Sequence, residues 1–97
     1  MPTYIGLFNF TDQGIKNVKD SPARLDAAKT MLGSMGVTIK EFYLTMGQYD
    51  IVAIVEAPDD ETMARAALLN GMGGNVSSET LRAFTEPEYR HIVGSLP

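Results

Sequence analysis

The sequence predicts an α+β domain: a four-stranded antiparallel sheet with two helices on one face and a further helix at the C-terminus. Three observations predict it. Strand-like and helix-like segments alternate in the order β-α-β-β-α-β. The first and third strand segments are the most apolar. Only Gly47-Gln48 separates the second strand segment from the third. This order is the split βαβ, or ferredoxin-like, arrangement. It places the first and third strands at the centre of the sheet, which suits their apolar character.

Residues 3–10, TYIGLFNF, are rich in β-branched and aromatic types and apolar on both sides, as a central strand requires. Thr11-Asp12-Gln13-Gly14 breaks the pattern, and a polar linker with one short helical turn through Ile15 and Val18 leads to Asp20-Ser21-Pro22. Ser21 is the expected N-cap and Pro22 the first helical residue. Leu25, Ala28, Leu32 and Met35 then fall on one helical face, and Gly36 ends the helix. Residues 37–46 and 49–57 form two strands joined by a two-residue loop with Gly first, which suits a type II′ turn. Asp59 is the expected cap of the second helix, whose acidic first turn complements the helix dipole. Met63, Ala66, Ala67 and Asn70 share one side of it, and Gly71-Met72-Gly73-Gly74 ends it. Residues 75–84 are a polar strand suited to a sheet edge. Thr85-Glu86-Pro87-Glu88 is a capping box that starts the terminal helix.

The hairpin register predicts what each face carries. With Met46 opposite Tyr49, one face holds Phe42, Leu44, Tyr49, Ile51, Ala53 and Val55, and this is the face assigned to the helices. The other holds Ile39, Glu41, Tyr43, Thr45, Asp50, Val52, Ile54 and Glu56, extended by Tyr4, Phe8 and Phe10. This mixed face has no cover in a monomer. An uncovered patch of this kind marks an interaction surface, so two sheets packing face to face are expected to form a homodimer. A 97-residue domain has a small core to itself, which an oligomer interface would supplement.

Composition excludes several function classes. The chain reads as one domain over residues 1–97, 44% hydrophobic and 21% charged. A net charge of −4 with eight scattered Lys and Arg argues against nucleic-acid binding. No basic amphipathic run suggests a membrane surface, and no apolar run approaches the ~20 residues that span a bilayer. The N-terminus lacks the basic and small-residue elements of a secretory signal. With no cysteine there is no disulfide framework, thiolate metal site or Cys nucleophile, which fits a cytoplasmic protein.

The candidate chemistry is sparse. Tyr49 and Asp50 offer a phenol and a carboxylate for hydrogen bonding or proton transfer. The competing reading of Asp50 is an Asp past a tight turn that accepts backbone N–H groups. His91 is the only histidine, and one His among scattered carboxylates gives no metal spacing. Asn9, Thr11, Asp12 and Lys16 cluster at the end of the first strand, either as an Asx-type turn or as a polar pocket rim. Asn9, a polar residue inside a central strand, needs a partner there. The Gly71–Gly74 run lacks the spacing of a phosphate loop. The six methionines suit core gaps better than a cofactor box.

Gly47-Gln48-Tyr49-Asp50, together with NFTDQGIKNVKDSPARLDAAK (9–29), FYLTMGQYDIVAIVEAPDDE (42–61) and LRAFTEPEYR (81–90), resembles the GYD-domain family over almost the whole chain. The resemblance implies a dimeric α/β barrel, in which two ferredoxin-like sheets face each other. It nominates Tyr49 and Asp50, with Asn9, Thr11, Asp12 and Gly14 from the first loop, and no assigned activity comes with it. The wider superfamily includes cofactor-independent monooxygenases, isomerases and haem enzymes, whose chemistry does not transfer on fold alone.

The expectation is a homodimer, or a higher homo-oligomer built from it, binding a small organic ligand in a sheet-lined cavity without cofactor or metal. Asn9, Thr11, Tyr43, Tyr49 and Asp50 are the ligand-binding candidates. One alternative is a small oxygenase or isomerase with Asp50 or His91 as base and Tyr43 or Tyr49 as hydrogen-bond donor. Another is a structural or regulatory interaction module without ligand.

Overall fold

A computed structural model describes all 97 residues. The elements are β1 (Thr3–Phe10), α1 (Asp12–Lys16), a 3-10 turn (Val18–Asp20), α2 (Ser21–Ser34), β2 (Thr38–Leu44), β3 (Ile51–Glu56), α3 (Asp60–Met72), β4 (Val76–Ala83) and α4 (Glu86–Gly94). The sheet order is β2-β3-β1-β4 with every pair antiparallel, so β1 and β3 are central as their apolar character requires. This is the α+β, ferredoxin-like arrangement with a C-terminal helix.

Local chemistry accounts for most boundaries. The Asp59 carboxylate accepts from Thr62 N–H at 2.8 Å and starts α3. Thr85 and Glu88 form the reciprocal capping box of α4. At the end of α2, Val37 N–H reaches Leu32 O and Gly36 N–H reaches Gly33 O, while Gly36 takes φ +78°. This is a Schellman motif with glycine in its left-handed position; Val37 joins the buried core and Leu32 packs against that core. The start of α2 differs from expectation. Ser21 is already helical and Asp20 occupies the cap position without a side-chain bond. The 3-10 turn runs directly into the helix, and Ser21 N–H is satisfied by Val18 O, so no side-chain cap is needed.

The predicted β2–β3 register holds, with Leu44 opposite Ile51 and Tyr43 opposite Val52. Three of the face assignments do not. The ladder slips between Ile39 and Glu41, so Lys40 is an extra residue in β2. This bulge re-aims Ile39 to the helix face, opposite Val55, where it packs on the core. Tyr4 pairs with Val55 and Phe8 with Ile51, so Tyr4, Phe8 and Phe10 lie on the helix face and do not extend the open one. The residues of β1 that do are Ile5, Leu7 and Asn9. The loop is also wider than two residues. Thr45 N–H donates to Asp50 O at 2.8 Å, and the Thr45 hydroxyl donates to Tyr49 O at 2.5 Å. The closing pair is therefore Thr45–Asp50, with residues 46–49 outside the ladder. Strand alternation then no longer fixes where Tyr49 points.

The core lies between the sheet and the helices. Tyr4, Val37, Ala53, Val55, Ala57, Met63 and Ala66 form its buried cluster. The ring of Phe8 covers Gly6, where a Cβ would stand 2.6 Å from it. The Tyr4 hydroxyl donates to Asp60 at the start of α3, and Arg82 stacks over the Tyr4 and Phe84 rings at 5.6 and 4.6 Å. Burial, then the Asp60 hydrogen bond, push the Tyr4 phenol up to about 12 from an ordinary value of 10.0. The folded value lies above the unfolded one. The stability this group contributes is thus complete below pH ~10 and lost as pH rises towards 12. Denaturant midpoints measured from pH 9 to 12 should fall for the native chain and fall less for Tyr4→Phe; parallel declines would show that another group controls the alkaline limit.

α2 contributes no fully buried residue, and α4 none either. The radius of gyration is 14.7 Å, above the ~12.5 Å of a compact chain of this length. Apolar surface is left uncovered in three places: the open sheet face, one side of α4, and the space between α2, α3 and the sheet.

Candidate functional site

The Gly47–Asp50 corner is built as a clamp. Gly47 takes φ +119°, in the region that favours glycine, and allows the chain to reverse. Asp50 N–H donates to Phe8 O at 2.8 Å, and the Asp50 carboxylate accepts from Phe10 N–H at 2.9 Å. One residue thus serves both a carbonyl and an amide of β1, with its side chain replacing the backbone acceptor that β3 no longer provides. This is the backbone-satisfying role weighed for Asp50 from the sequence. The Tyr49 hydroxyl donates to Glu79 of β4 at 2.8 Å. Glu79 is opposite Leu7, so this contact lies on the open face, and Tyr49 belongs there and not on the helix face. The Glu79 hydrogen bond is the main cause holding the Tyr49 phenol above its ordinary range. Tyr49 and Asp50 therefore tie the β2–β3 hairpin to β4 and β1 respectively.

The first-loop candidates form a second clamp at the same end of β1. Thr11 caps α1, its hydroxyl accepting from Gly14 N–H at 3.1 Å and donating to Gly74 O at 2.6 Å. Thr11 N–H donates to Asn75 O at 3.0 Å. Gly14 is buried, and a Cβ there would sit 1.9 Å from Asn75 O. Gln13 adds bonds to Gly73 O and Asn75 Oδ1. Residues 73–75, at the end of the glycine run, are thus the surface on which α1 docks. Asn9 is half-buried on the open face, opposite Ser77, and its amide makes no protein hydrogen bond. Asp12 is exposed in the first turn of α1, and Lys16 in its last.

The open face itself is apolar at its centre. Across the sheet run Glu41, Ile54, Ile5 and Leu81 in one row, and Tyr43, Val52, Leu7 and Glu79 in the next. No element covers them. Tyr43 is exposed and donates to Glu41 at 3.2 Å; the charge of Glu41, then this bond, raise its phenol. Asn9, Tyr43, Tyr49 and Asp50 thus come to one sheet and its rim, whereas His91 does not join them. It sits on α4 in a shallow groove with Phe84, Pro87, Glu88 and Ile92. α4 follows the end of β4 that pairs with Thr3, while Asp50 binds the Phe10 end of β1. The structure has no cluster of three His, Asp or Glu arranged to hold a metal ion.

Sequence reasoning missed two features. The first is a cleft of about 480 Å3 between α2, α3 and the helix face of the sheet, floored by Phe8, Ile51, Ala53 and Val55. None of Asn9, Thr11, Tyr43, Tyr49 or Asp50 lines it. Its signal in the sequence was the run of small residues Ala27, Ala28, Ala66 and Ala67 on the facing helices. The second is the stripe Tyr89, Ile92, Val93 and Leu96 at i, i+3, i+4, i+7, all exposed along α4 and its end.

No helix is long and apolar enough to cross a membrane. The family described as GYD domain matches residues 4–93. The chain is also 38% identical over 84 residues to a Thermus thermophilus protein named "Glutamine synthetase and cystathionine beta-lyase binding protein", covering 86% of this chain and 88% of that protein. No solved structure matches.

Proposed function

The chain belongs to the GYD-domain family, and from that premise we propose that it is a homodimeric, non-catalytic module that binds other proteins. The observation that carries this reading is the uncovered apolar centre of the sheet, Ile5, Leu7, Val52, Ile54 and Leu81. Two copies placing these faces together form a barrel and leave α4 on the outside. The apolar stripe of α4 then suits the helix-in-groove mode of recognition. The relative's name points to the class of partner: a metabolic enzyme such as glutamine synthetase or cystathionine β-lyase. The module acts as a single domain in the cytoplasm, in keeping with its lack of cysteine.

The test is calorimetric titration of the purified chain into glutamine synthetase and, separately, cystathionine β-lyase from the same organism. Saturable binding to at least one is expected. Ile92→Glu with Val93→Glu should weaken it at least tenfold without changing the mass of the free module. Undiminished binding by this variant would remove α4 from the interface; absence of binding to both enzymes would remove this partner class.

A second reading is small-ligand binding, favoured by the cleft between α2 and α3, whose volume falls within the usual range of ligand sites, ~300–1,000 Å3. The oxygenase or isomerase alternative gains less. Its base would be Asp50, which is engaged with the Phe10 amide, or His91, exposed on the helix that follows the end of β4 paired with Thr3.

A further inference from the structure

We infer that the cleft between α2, α3 and the sheet binds an amphipathic carboxylate: a molecule with an apolar tail and one anionic head, the medium-chain fatty acids being the simplest members. This deepens the small-ligand reading and does not depend on the protein-partner one.

The floor and walls set the tail. Phe8, Leu25, Leu32, Ile51, Val55 and Met63 surround a space of about 480 Å3. Leu25 and Leu32 are only half-buried, because nothing in the chain fills the gap beneath α2. The apolar walls of this open cleft face water at a free-energy cost. An apolar guest recovers that energy and stabilises the fold in proportion to its occupancy.

The rim sets the head. Arg24 is the one ionisable side chain among the lining residues, with no Asp, Glu, Lys or His beside it there. One guanidinium nitrogen donates to Asn17 O at 3.0 Å, and no carboxylate pairs with it. A guanidinium has five N–H donors in a planar fork that matches a carboxylate. Ser21 lies one turn away at the start of α2 and adds a hydroxyl. The cleft opens to solvent, so the head can stay hydrated at Arg24 while the tail is enclosed. A single cation on an otherwise uncharged lining disfavours cationic ligands, and it distinguishes a carboxylate from a neutral molecule with the same tail.

The experiment is titration of the full-length protein, in its native assembly, with dodecanoate and with dodecanol below their aggregation concentrations. It is read by calorimetry and by the shift in thermal midpoint. Saturable dodecanoate binding with a raised midpoint is expected. Arg24→Gln should weaken dodecanoate about tenfold and leave dodecanol unchanged. Ala28→Phe, which places a ring in the cleft, should weaken both. If native protein binds neither probe, the cleft is closed in the assembly, for example by α4 of a second copy, and both the ligand class and the small-ligand reading fall. Equal affinity of native and Arg24→Gln protein for dodecanoate would overturn the carboxylate class alone. Undiminished binding by a folded Ala28→Phe protein would place the probes elsewhere and overturn the site. Should Ala28→Phe not fold, the Arg24→Gln comparison still decides the head group.

Discussion

Gly14→Ala should lower the thermal midpoint by roughly 12–24 °C, the largest stability change expected of any single methyl added to this chain. Gly14 has an ordinary helical backbone, so conformational freedom is not the reason. The reason is space. The new Cβ would stand 1.9 Å from the Asn75 carbonyl oxygen and 2.8 Å from its carbon, and both are backbone atoms. Neither can swing aside as a side chain would. α1 must therefore lift away from the loop before β4. That strains or breaks the Thr11 N–H to Asn75 O bond and the Thr11 hydroxyl to Gly74 O bond. Overpacking against rigid surroundings costs about 3 kcal/mol at the upper end of its usual range. Gly33→Ala supplies the contrast. It lies near the end of α2 with nothing within 4 Å of the added carbon. There alanine should stabilise by about 0.5 kcal/mol through its helix preference. Differential scanning calorimetry on both variants is the check. A Gly14→Ala midpoint within a few degrees of the native one would mean that α1 docks more loosely than this contact implies.

Gly14 also shows where the sequence is legible and where it is not. Its place after Thr11-Asp12 resembled a family motif, but no local pattern reveals that its neighbour is a carbonyl sixty residues away. Boundaries set by local chemistry were readable: the Asp59 cap, the Thr85–Glu88 box and the Gly36 stop are each decided within a few residues. The central strands were readable because apolar residues on both of their faces leave a nearly continuous apolar run. What failed was alternation carried past an irregularity. One bulge residue, Lys40, moved Ile39 to the other face, and one widened loop freed Tyr49 from the ladder. A single residue out of step reverses every side chain beyond it. The sides of β1 were misjudged for a related reason. With apolar residues on both, the pattern does not say which faces the helices, and Gly6 beneath the Phe8 ring settles it only in three dimensions. The cleft was invisible because it arises from how far apart α2 and α3 lie, which small residues permit but do not encode.

Ile54→Arg should convert the proposed face-to-face dimer to a monomer. Ile54 lies opposite Ile5 on β1 and Glu41 on β2, at the centre of the open face. Strand spacing and rise make that face about 19 by 23 Å. Two such faces bury on the order of 1,000 Å2, near the lower limit for a specific interface. The proposed dimer would then depend on its central apolar rows, with little reserve at the rim. A two-fold face-to-face interface is isologous, so each substitution would enter twice, close to the axis. Two guanidinium groups would be desolvated side by side without a partner, which costs several kcal/mol and raises the dissociation constant at least a thousandfold. In the monomer the same side chain reaches water, because Ile54 is only half-buried, and the fold should survive. Leu68→Lys is the matched control: an apolar-to-cationic change on α3, at a residue already 70% exposed and far from the open face. It should leave the dimer intact. Sedimentation equilibrium of the three proteins, with circular dichroism to verify folding, separates the possibilities. Native and Leu68→Lys protein at twice the chain mass with Ile54→Arg at one would support face-to-face sheets. A dimeric Ile54→Arg protein would move the interface to α4 or to the cleft, and a native monomer would remove the barrel altogether.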